Sequence, residues 1–167
     1  MLLRPLTSAD AEIYRELRLA ALREHPLAYV TDFREEAVLP IEEIQKRLDG
    51  STAVTFGVFD DQQVLSGIGT LLWTTRLRQR FRATIVGMYV PHACRRQGIA
   101  TELLGACIER ARALPEVEEV CLSVTAGNEA ARAAYIKFGF QPDYIEPRYF
   151  KHAGEYHDIE WLKLPLV

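Results

Sequence analysis

A glycine and two arginines stand where a predicted strand gives way to a predicted helix. The stretch reads VPHACRRQGIATELL, residues 90–104, with Arg95, Arg96 and Gly98 at its centre. A helix N-terminus carries unpaired N–H groups and about half a positive charge, so it favours an anion. Gly98 has no Cβ to keep a ligand from the backbone. The segment predicts a diphosphate-binding turn, although simple helix capping explains the same residues equally well.

A second candidate for chemistry lies downstream, in the predicted helix GNEAARAAYIKF at 127–138. Asn128 and Tyr135 are seven residues apart, so two helical turns place them on one face with Ala131. A phenol stays protonated at neutral pH and can act as a proton donor. From spacing alone, a core aromatic and a helix N-cap are the simpler interpretations of these two residues.

Apolar periodicity predicts the elements that position these residues. A strand at 2–6 precedes a helix that begins at Thr7 or Ser8, buries Ile13 and Ala21 among others, and ends before Pro26. Later elements are a helix opened by Pro40, strands at 52–60, 63–75 and 83–90, a helix from Gly98, a strand at 117–125, the helix at 127–138 and a hairpin at 144–164 that turns at AG. This order predicts an α/β (α+β) fold, a mixed central sheet with helices on both faces.

Length and composition limit the function classes. The 167 residues, with no repeat or linker, predict a single domain over 1–167. A formal net charge of −3 gives no general reason to expect binding to nucleic acid or to an anionic membrane. No apolar run approaches the ~20 residues of a membrane span, and the N-terminus lacks the apolar core of a signal peptide. Three cysteines without C-x-x-C spacing are typical of reduced thiols in a cytoplasmic protein, and four histidines without H-x-x-x-H spacing predict no metal site.

Two motifs together resemble one family. Arg95-x-x-Gly98-x-Ala100, after a strand ending in YVP, resembles the pyrophosphate motif of the GNAT superfamily of acyl-CoA-dependent N-acyltransferases. AGNEAARAAYIKFGF, which includes Asn128 and Tyr135, resembles the Asn…Tyr-x-x-x-Gly-Phe segment of the same family. The element order also matches over nearly the whole chain. The resemblance therefore implies the GNAT acyl-CoA N-acyltransferase fold, with a mostly antiparallel sheet.

The resemblance also implies an activity and its residues. An acetyl group would pass from acetyl-CoA directly to a primary amine, of a small molecule or of a peptide or protein, in a ternary complex without a metal. Tyr135 would be the general acid that protonates the leaving thiolate, and a backbone N–H near Val90 would meet the oxyanion. Strand residues 88–90 would pair with pantetheine amides, and the amides of 96–101 would hold the pyrophosphate. The implied acetyl-CoA-binding residues are Met88, Tyr89, Val90, Arg95, Arg96, Gln97, Gly98, Ile99, Ala100, Thr101 and Asn128.

The sequence departs from the family at the general base. Glutamates that relatives place on two strands correspond here to Gly87 and Ser123. Asp32, Glu35 and Glu36 in the loop TDFREE are the remaining candidates, although solvated surface charge is the simpler interpretation. An acyl-CoA-binding sensor or pseudoenzyme without efficient turnover is therefore the alternative function.

Two further groups of residues have open interpretations. The stretch RLRQRFR places four arginines at a spacing of two, which would share one strand face if the neighbouring strands extend that far. Such a stripe would suit an acidic partner or nucleic acid, but a solvated hairpin is favoured because stacking aromatics are not interleaved. Loop aromatics are expected to wall an acceptor pocket, join the core or form a homodimer contact. The arginines are Arg76, Arg78, Arg80 and Arg82, and the aromatics are Tyr29, Phe33, Tyr149, Phe150 and Tyr156.

Overall fold

Seven strands form one sheet in the order β1-β2-β3-β4-β5-β7-β6 in a computed structural model that describes residues 1–167. Every neighbouring pair is antiparallel except β4 and β5. The predicted α/β (α+β) class with a mixed, mostly antiparallel sheet is therefore confirmed. The strands are β1 (Leu2–Pro5), β2 (Ala53–Phe59), β3 (Leu65–Leu72), β4 (Arg82–Tyr89), β5 (Glu119–Thr125), β6 (Gln141–His152) and β7 (Glu155–Pro165).

Helices cover both faces of this sheet. Ile68 of β3 lies in a buried cluster with residues of the first and third helices, whereas Leu71, on the opposite face of the strand, packs against the fourth. None of the helices combines the length and the apolar composition that crossing a membrane requires. The helices are α1 (Ala11–Glu24), α2 (Phe33–Ala37), α3 (Ile41–Leu48), α4 (Ile99–Arg112) and α5 (Glu129–Lys137).

The buried face of α1 differs from the prediction. Ile13, predicted to be buried, is 40% exposed, whereas Tyr14 and Arg18 are buried beside the predicted Ala21. The helix begins at Ala11 because residues Ser8–Asp10 form one 3-10 turn first. At about 100° per residue, Tyr14 lies within about 20° of Ala21 around the helix, whereas Ile13 lies about 80° away, so the stripe that faces the sheet contains Tyr14 and not Ile13.

The parallel strands β4 and β5 separate along their length. Their pairing runs only from Arg82 and Glu119 to Thr84 and Cys121, and β5 then pairs with β7 alone. A β-bulge at Gly87, where φ is +65°, places three residue steps of β4 opposite two of β3. A bulge bends and twists its strand, so the second half of β4 diverges from β5 and leaves a gap in the sheet.

The arginine stripe does not form. Residues 73–81 are a turn-rich connection between β3 and β4 rather than an extension of either strand. Arg80 pairs with Glu116 at 2.7 Å, and Arg82 donates to Glu119 at 2.6 Å. The four arginines would share one face only if the neighbouring strands extended through this stretch, and they do not.

An ion pair joins β1 to the start of α1. Both terminal nitrogens of Arg4 donate to the carboxylate of Asp10 at 2.8 Å, and the Thr7 N–H donates to it at 2.9 Å. These contacts, the hydrogen bond from Arg4 first, lower the pKa of Asp10 to about 2. Because the folded pKa lies below the ordinary value, the pair stabilises the fold above about pH 4 and loses this effect as the pH falls towards 2.

We expect Asp10→Asn to lower the free energy of unfolding by about 1–2 kcal/mol at pH 7, allowing for the half-exposed partner Arg4. Urea denaturation at pH 7 and pH 3 measures the difference, which should shrink at pH 3. Asp61→Asn removes only an exposed ion pair with the N-terminus and should change stability little at either pH. An equal loss at both pH values for Asp10→Asn would contradict an electrostatic role.

Candidate active site

A cavity of about 650 Å³ lies where β4 leaves β5, between the start of α4, helix α5 and the segment after α1. Its volume is in the range of small-molecule sites. Twelve residues are predicted from the sequence to form the site, and eight of them line this cavity. They are Met88, Tyr89, Val90, Arg95, Ala100, Thr101, Asn128 and Tyr135.

The turn before α4 presents a row of free backbone donors. None of the N–H groups from Arg96 to Thr101 donates a hydrogen bond within the chain, and the first bond of the helix runs from Glu102 N to Gly98 O at 3.0 Å. Arg96 and Gly98 both have positive φ, 64° and 84°, which turns the local N–H groups into a concave arrangement. With the positive end of the α4 dipole, these six donors suit a diphosphate.

The side chains of this turn have other roles. Arg95 donates from Nε to Val90 O at 3.0 Å and lies 2.9 Å from His25 Nε2, so it holds the turn against β4 and α1. Ile99 is 2% exposed and packs in the core. Arg96, Gln97 and Gly98 are exposed and do not line the cavity. Main-chain N–H groups therefore define the anion site more than the arginine side chains do.

Side chains from α1 and the segment after it hold the end of β4. The Tyr29 hydroxyl donates to Met88 O at 2.8 Å, and the Tyr89 hydroxyl donates to Glu24 at 2.6 Å. Burial and then the Glu24 carboxylate raise the pKa of Tyr89, so this phenol stays protonated. The Met88 and Val90 carbonyls thus already accept from side chains, whereas the Val90 N–H has no partner in the chain and is free for a ligand.

Helix α5 supplies the predicted polar pair. The Asn128 side chain caps the helix by accepting from Ala131 N at 3.2 Å, and its amide nitrogen donates to no protein atom. Tyr135 packs edge-on against Phe140, with 6.0 Å between ring centroids, and its hydroxyl has no protein partner. Burial raises the pKa of Tyr135 to about 12. Asn128 is therefore the N-cap, with a donor left for a ligand, and Tyr135 carries a proton throughout the physiological range.

A second cavity, of about 260 Å³, adjoins the first. Tyr29, Met88, Asn128 and Tyr135 line both cavities, so the phenol stands between them. Residues of β4 and β5 that flank the gap complete its walls. Two molecules bound on either side of Tyr135 would therefore meet at the gap in the sheet.

No acidic residue lines either cavity. The Asp32 carboxylate caps α2 and is held by Arg34, whose hydrogen bond lowers the pKa of Asp32 to about 2. Glu36 is buried and accepts from Arg47 at 2.6 Å, and Glu35 is exposed on α2. The structure brings none of the three proposed bases to these two cavities, and Asp32 instead lines a third cavity nearby.

His25 and Lys137 also line the first cavity, although neither is among the residues predicted from the sequence. A His-Pro pair after a helix and a lysine in a helix are common surface features, so neither carried a signal. Of the loop aromatics, Tyr29 lines both cavities, whereas Phe33 and Phe150 line a third cavity of about 480 Å³.

No group of three His, Cys, Asp or Glu side chains is placed to hold a metal ion.

The model of the acetyltransferase (GNAT) family matches residues 12–140 of this chain. No curated protein matches the chain. The chain is similar to the solved structure of the acetyltransferase of GNAT family from Streptococcus pneumoniae, with 22% identity, 99% coverage of each chain and a TM-score of 0.85.

Two similar structures contain acetyl-CoA. The chain is 19% identical to yncA, a putative acetyltransferase from Salmonella typhimurium with its cofactor acetyl-CoA, over 100% of this chain and 94% of that one, with a TM-score of 0.79. It is 17% identical to NAA60 from Arabidopsis thaliana in complex with acetyl-CoA, over 99% and 98% of the two chains, with a TM-score of 0.77. These similarities confirm the predicted GNAT fold.

We expect Gly98→Ala to weaken coenzyme A binding about fivefold or more. A side chain at φ +84° costs about 1–2 kcal/mol, and relief of that strain would turn the donor N–H groups away from the ligand. Isothermal titration calorimetry with coenzyme A measures the change. Gly105→Ala in the same helix meets no atom within 4 Å and should leave binding unchanged. Equal affinity of the Gly98 variant and the wild type would contradict a role for the N–H groups of residues 96–101 in binding the ligand.

Proposed function

Since the chain belongs to the acetyltransferase (GNAT) family, we propose that it transfers the acetyl group of acetyl-CoA directly to a primary amine in a ternary complex. The observation that carries this proposal is the row of six unpaired N–H groups, 96–101, which opens onto the gap between β4 and β5. The position of Tyr135 between two cavities supports direct transfer between two bound molecules.

Acetyl-CoA would occupy the larger cavity. Its pyrophosphate fits the six backbone donors, and its pantetheine arm fits the gap beside β4, where the Val90 N–H is free. The amide nitrogen of Asn128 supplies one more donor, and Lys137 and Arg95 add positive charge to the lining. Each contact matches a polar group of the ligand to a protein donor that has no other partner or to a cation.

The proposed reaction balances without a covalent enzyme intermediate. The neutral amine nitrogen attacks the thioester carbonyl, a C–N bond forms, and the C–S bond breaks. The phenol of Tyr135 gives its proton to the departing sulfur, and the nitrogen loses one proton to water. The apolar surroundings that raise the pKa of Tyr135 also raise that of a thiolate released beside it, which favours this proton transfer. The phenolate regains its proton from solvent, and the products are an amide and a free thiol.

The acceptor amine would enter in its neutral form, because no carboxylate lines either cavity to take its proton. The amine then loses its proton in solution, before it binds. The pH dependence should consequently reflect the substrate rather than the protein.

Replacing Tyr135 by Phe should lower kcat about 100-fold while leaving the Kd of acetyl-CoA unchanged, because only the proton donor is lost. Thiol release measures kcat, and calorimetry measures Kd. Tyr144→Phe, at an exposed position of β6, is the matched control and should behave as the wild type. Turnover that survives Tyr135→Phe unchanged would exclude the acid role.

For two acceptors whose amine pKa values differ by about two units, kcat/KM should rise tenfold per pH unit up to each amine's own pKa. Rates between pH 6 and 10 test this, since Tyr135, with a pKa of about 12, stays protonated over the whole range. A break at one common pH below both amine pKa values would instead reveal a base on the protein.

The acyl-CoA sensor is the second candidate, and the absence of acids from both cavities favours it. A sensor would bind acetyl-CoA tightly and release no thiol with any amine, even at high pH. Thiol release with one amine would exclude it.

A further inference from the structure

Arg18 is a buried cation without a protein counter-charge. It is 8% exposed, and its Nη1 is buried with no hydrogen-bond partner. It forms no salt bridge, and its guanidinium carbon lies 4.7 Å from the ring centroid of Tyr29. A buried charge without an ion-pair partner is costly, so proteins retain one where a ligand completes it or where a fold demands it.

Arg18 is also the only charged residue in the lining of the 260 Å³ cavity. Nearby acids have other partners, since Glu24 on the same helix accepts from Tyr89 and the buried Glu36 accepts from Arg47, each at 2.6 Å. The net charge of this cavity lining is therefore positive.

The adjoining 480 Å³ cavity is positive as well. It shares Tyr29, Val30 and Thr31 with the smaller cavity, so the two adjoin. Its one acid, Asp32, is held by Arg34 at 2.9 Å. The other charged or titratable residues of its lining are Arg23, Lys151 and His152. This positive excess is local, because the whole chain has a net charge of −3.

The size of the smaller cavity limits the occupant. Its volume of about 260 Å³ lies just below the ~300–1,000 Å³ typical of sites for drug-sized ligands, which suits a compact molecule of amino-acid size. Tyr135 and Arg18 both line this cavity, so one such molecule can present its amine towards the thioester and another group towards Arg18.

We infer that Arg18 binds a carboxylate of the acceptor, which is therefore a compact amine that also carries an acid group, as an amino acid does. This inference rests on the proposed acetyl transfer. The carboxylate supplies the counter-charge and the hydrogen-bond acceptors that Arg18 lacks, and a guanidinium fits a carboxylate in two parallel hydrogen bonds. The basic residues of the adjoining cavity draw an anionic acceptor inward.

The test compares acids with their carboxamides as acceptors. L-alanine, L-leucine and β-alanine are each paired with the corresponding amide, and Asp-Ala-Ala amide is paired with Asn-Ala-Ala amide. Thiol release at saturating acetyl-CoA gives the ratio of kcat/KM for acid over amide. The carboxamide group withdraws electrons and lowers the pKa of the amine, so more of the amine is neutral in the amide than in the acid. By intrinsic reactivity alone the amide would therefore react faster, and a preference for the acid must come from the protein.

The wild type should prefer the acid of at least one pair about 30-fold, and Arg18→Met should bring that ratio close to one. Arg18→Lys should restore part of the preference, because it keeps the charge without the two-pronged geometry. A purely structural role would lower both rates together and leave the ratio unchanged. A preference confined to the peptide pair would overturn the compact acceptor and assign the carboxylate to a peptide, whereas a preference among the single amino acids supports a free amino acid.

Arg15→Met is the matched control, because Arg15 lies one turn away on α1, donates to Ala37 O at 2.8 Å and lines none of the three cavities. Its acid-to-amide ratio should equal that of the wild type. The Kd of coenzyme A, measured for every variant, confirms that the fold is intact.

Equal use of acids and amides by the wild type, or a preference that survives Arg18→Met, overturns the inference while the proposed function stands. If no amine releases thiol, the proposed function fails, and calorimetry of the acids with the coenzyme A complex decides the role of Arg18. Binding of an acid that its amide does not share and that Arg18→Met abolishes supports the carboxylate site. Binding of neither, or of both equally, overturns it.

Discussion

The separation of β4 from β5 after Thr84 and Cys121 is the constraint on which the rest of the site depends. It leaves a gap in a sheet that is otherwise continuous, and β5 tolerates the loss of one neighbour because β7 pairs with it up to Thr125. Both candidate cavities open at this gap, and the helices that follow the two strands, α4 and α5, begin on its two sides. A sheet paired throughout would have no room there for a ligand.

The segment after α1 also contributes to the site, because its side chains line the cavities that lie at the gap. Tyr29 caps the Met88 carbonyl, lines all three cavities and packs against Arg18, so one residue connects the walls of the 650 Å³ and 260 Å³ cavities. The Thr125 hydroxyl donates to the Leu27 carbonyl, which fixes the same segment against the end of β5. The 260 Å³ cavity is thus lined by residues far apart in the sequence, and its one charged residue comes from a helix that otherwise packs on the sheet.

Local patterns predicted most elements because their signals lie within a few residues. Pro40 stands at the start of α3, Gly98 caps α4, and the AG turn joins β6 to β7 with both residues at positive φ, as a two-residue hairpin turn requires. The same reasoning failed where the signal was not local. Which stripe of α1 faces the sheet depends on tertiary packing, so Ile13 is exposed while Tyr14 and Arg18 are buried, and the alternating arginines lie in a connection rather than on a strand.

The sequence by itself determined the turn of free N–H groups before α4, because a glycine, a helix start and unpaired N–H groups are properties of consecutive residues. It also determined that Asn128 and Tyr135 lie on the same side of α5, because helical spacing places them there. Only the tertiary structure decided that the Met88 carbonyl is capped, that no acid lines the 650 Å³ or the 260 Å³ cavity, and that Arg18 is buried without a partner. These are consequences of long-range packing. A charged residue on an amphipathic helix is expected to face water, and only the fold around it shows that Arg18 does not.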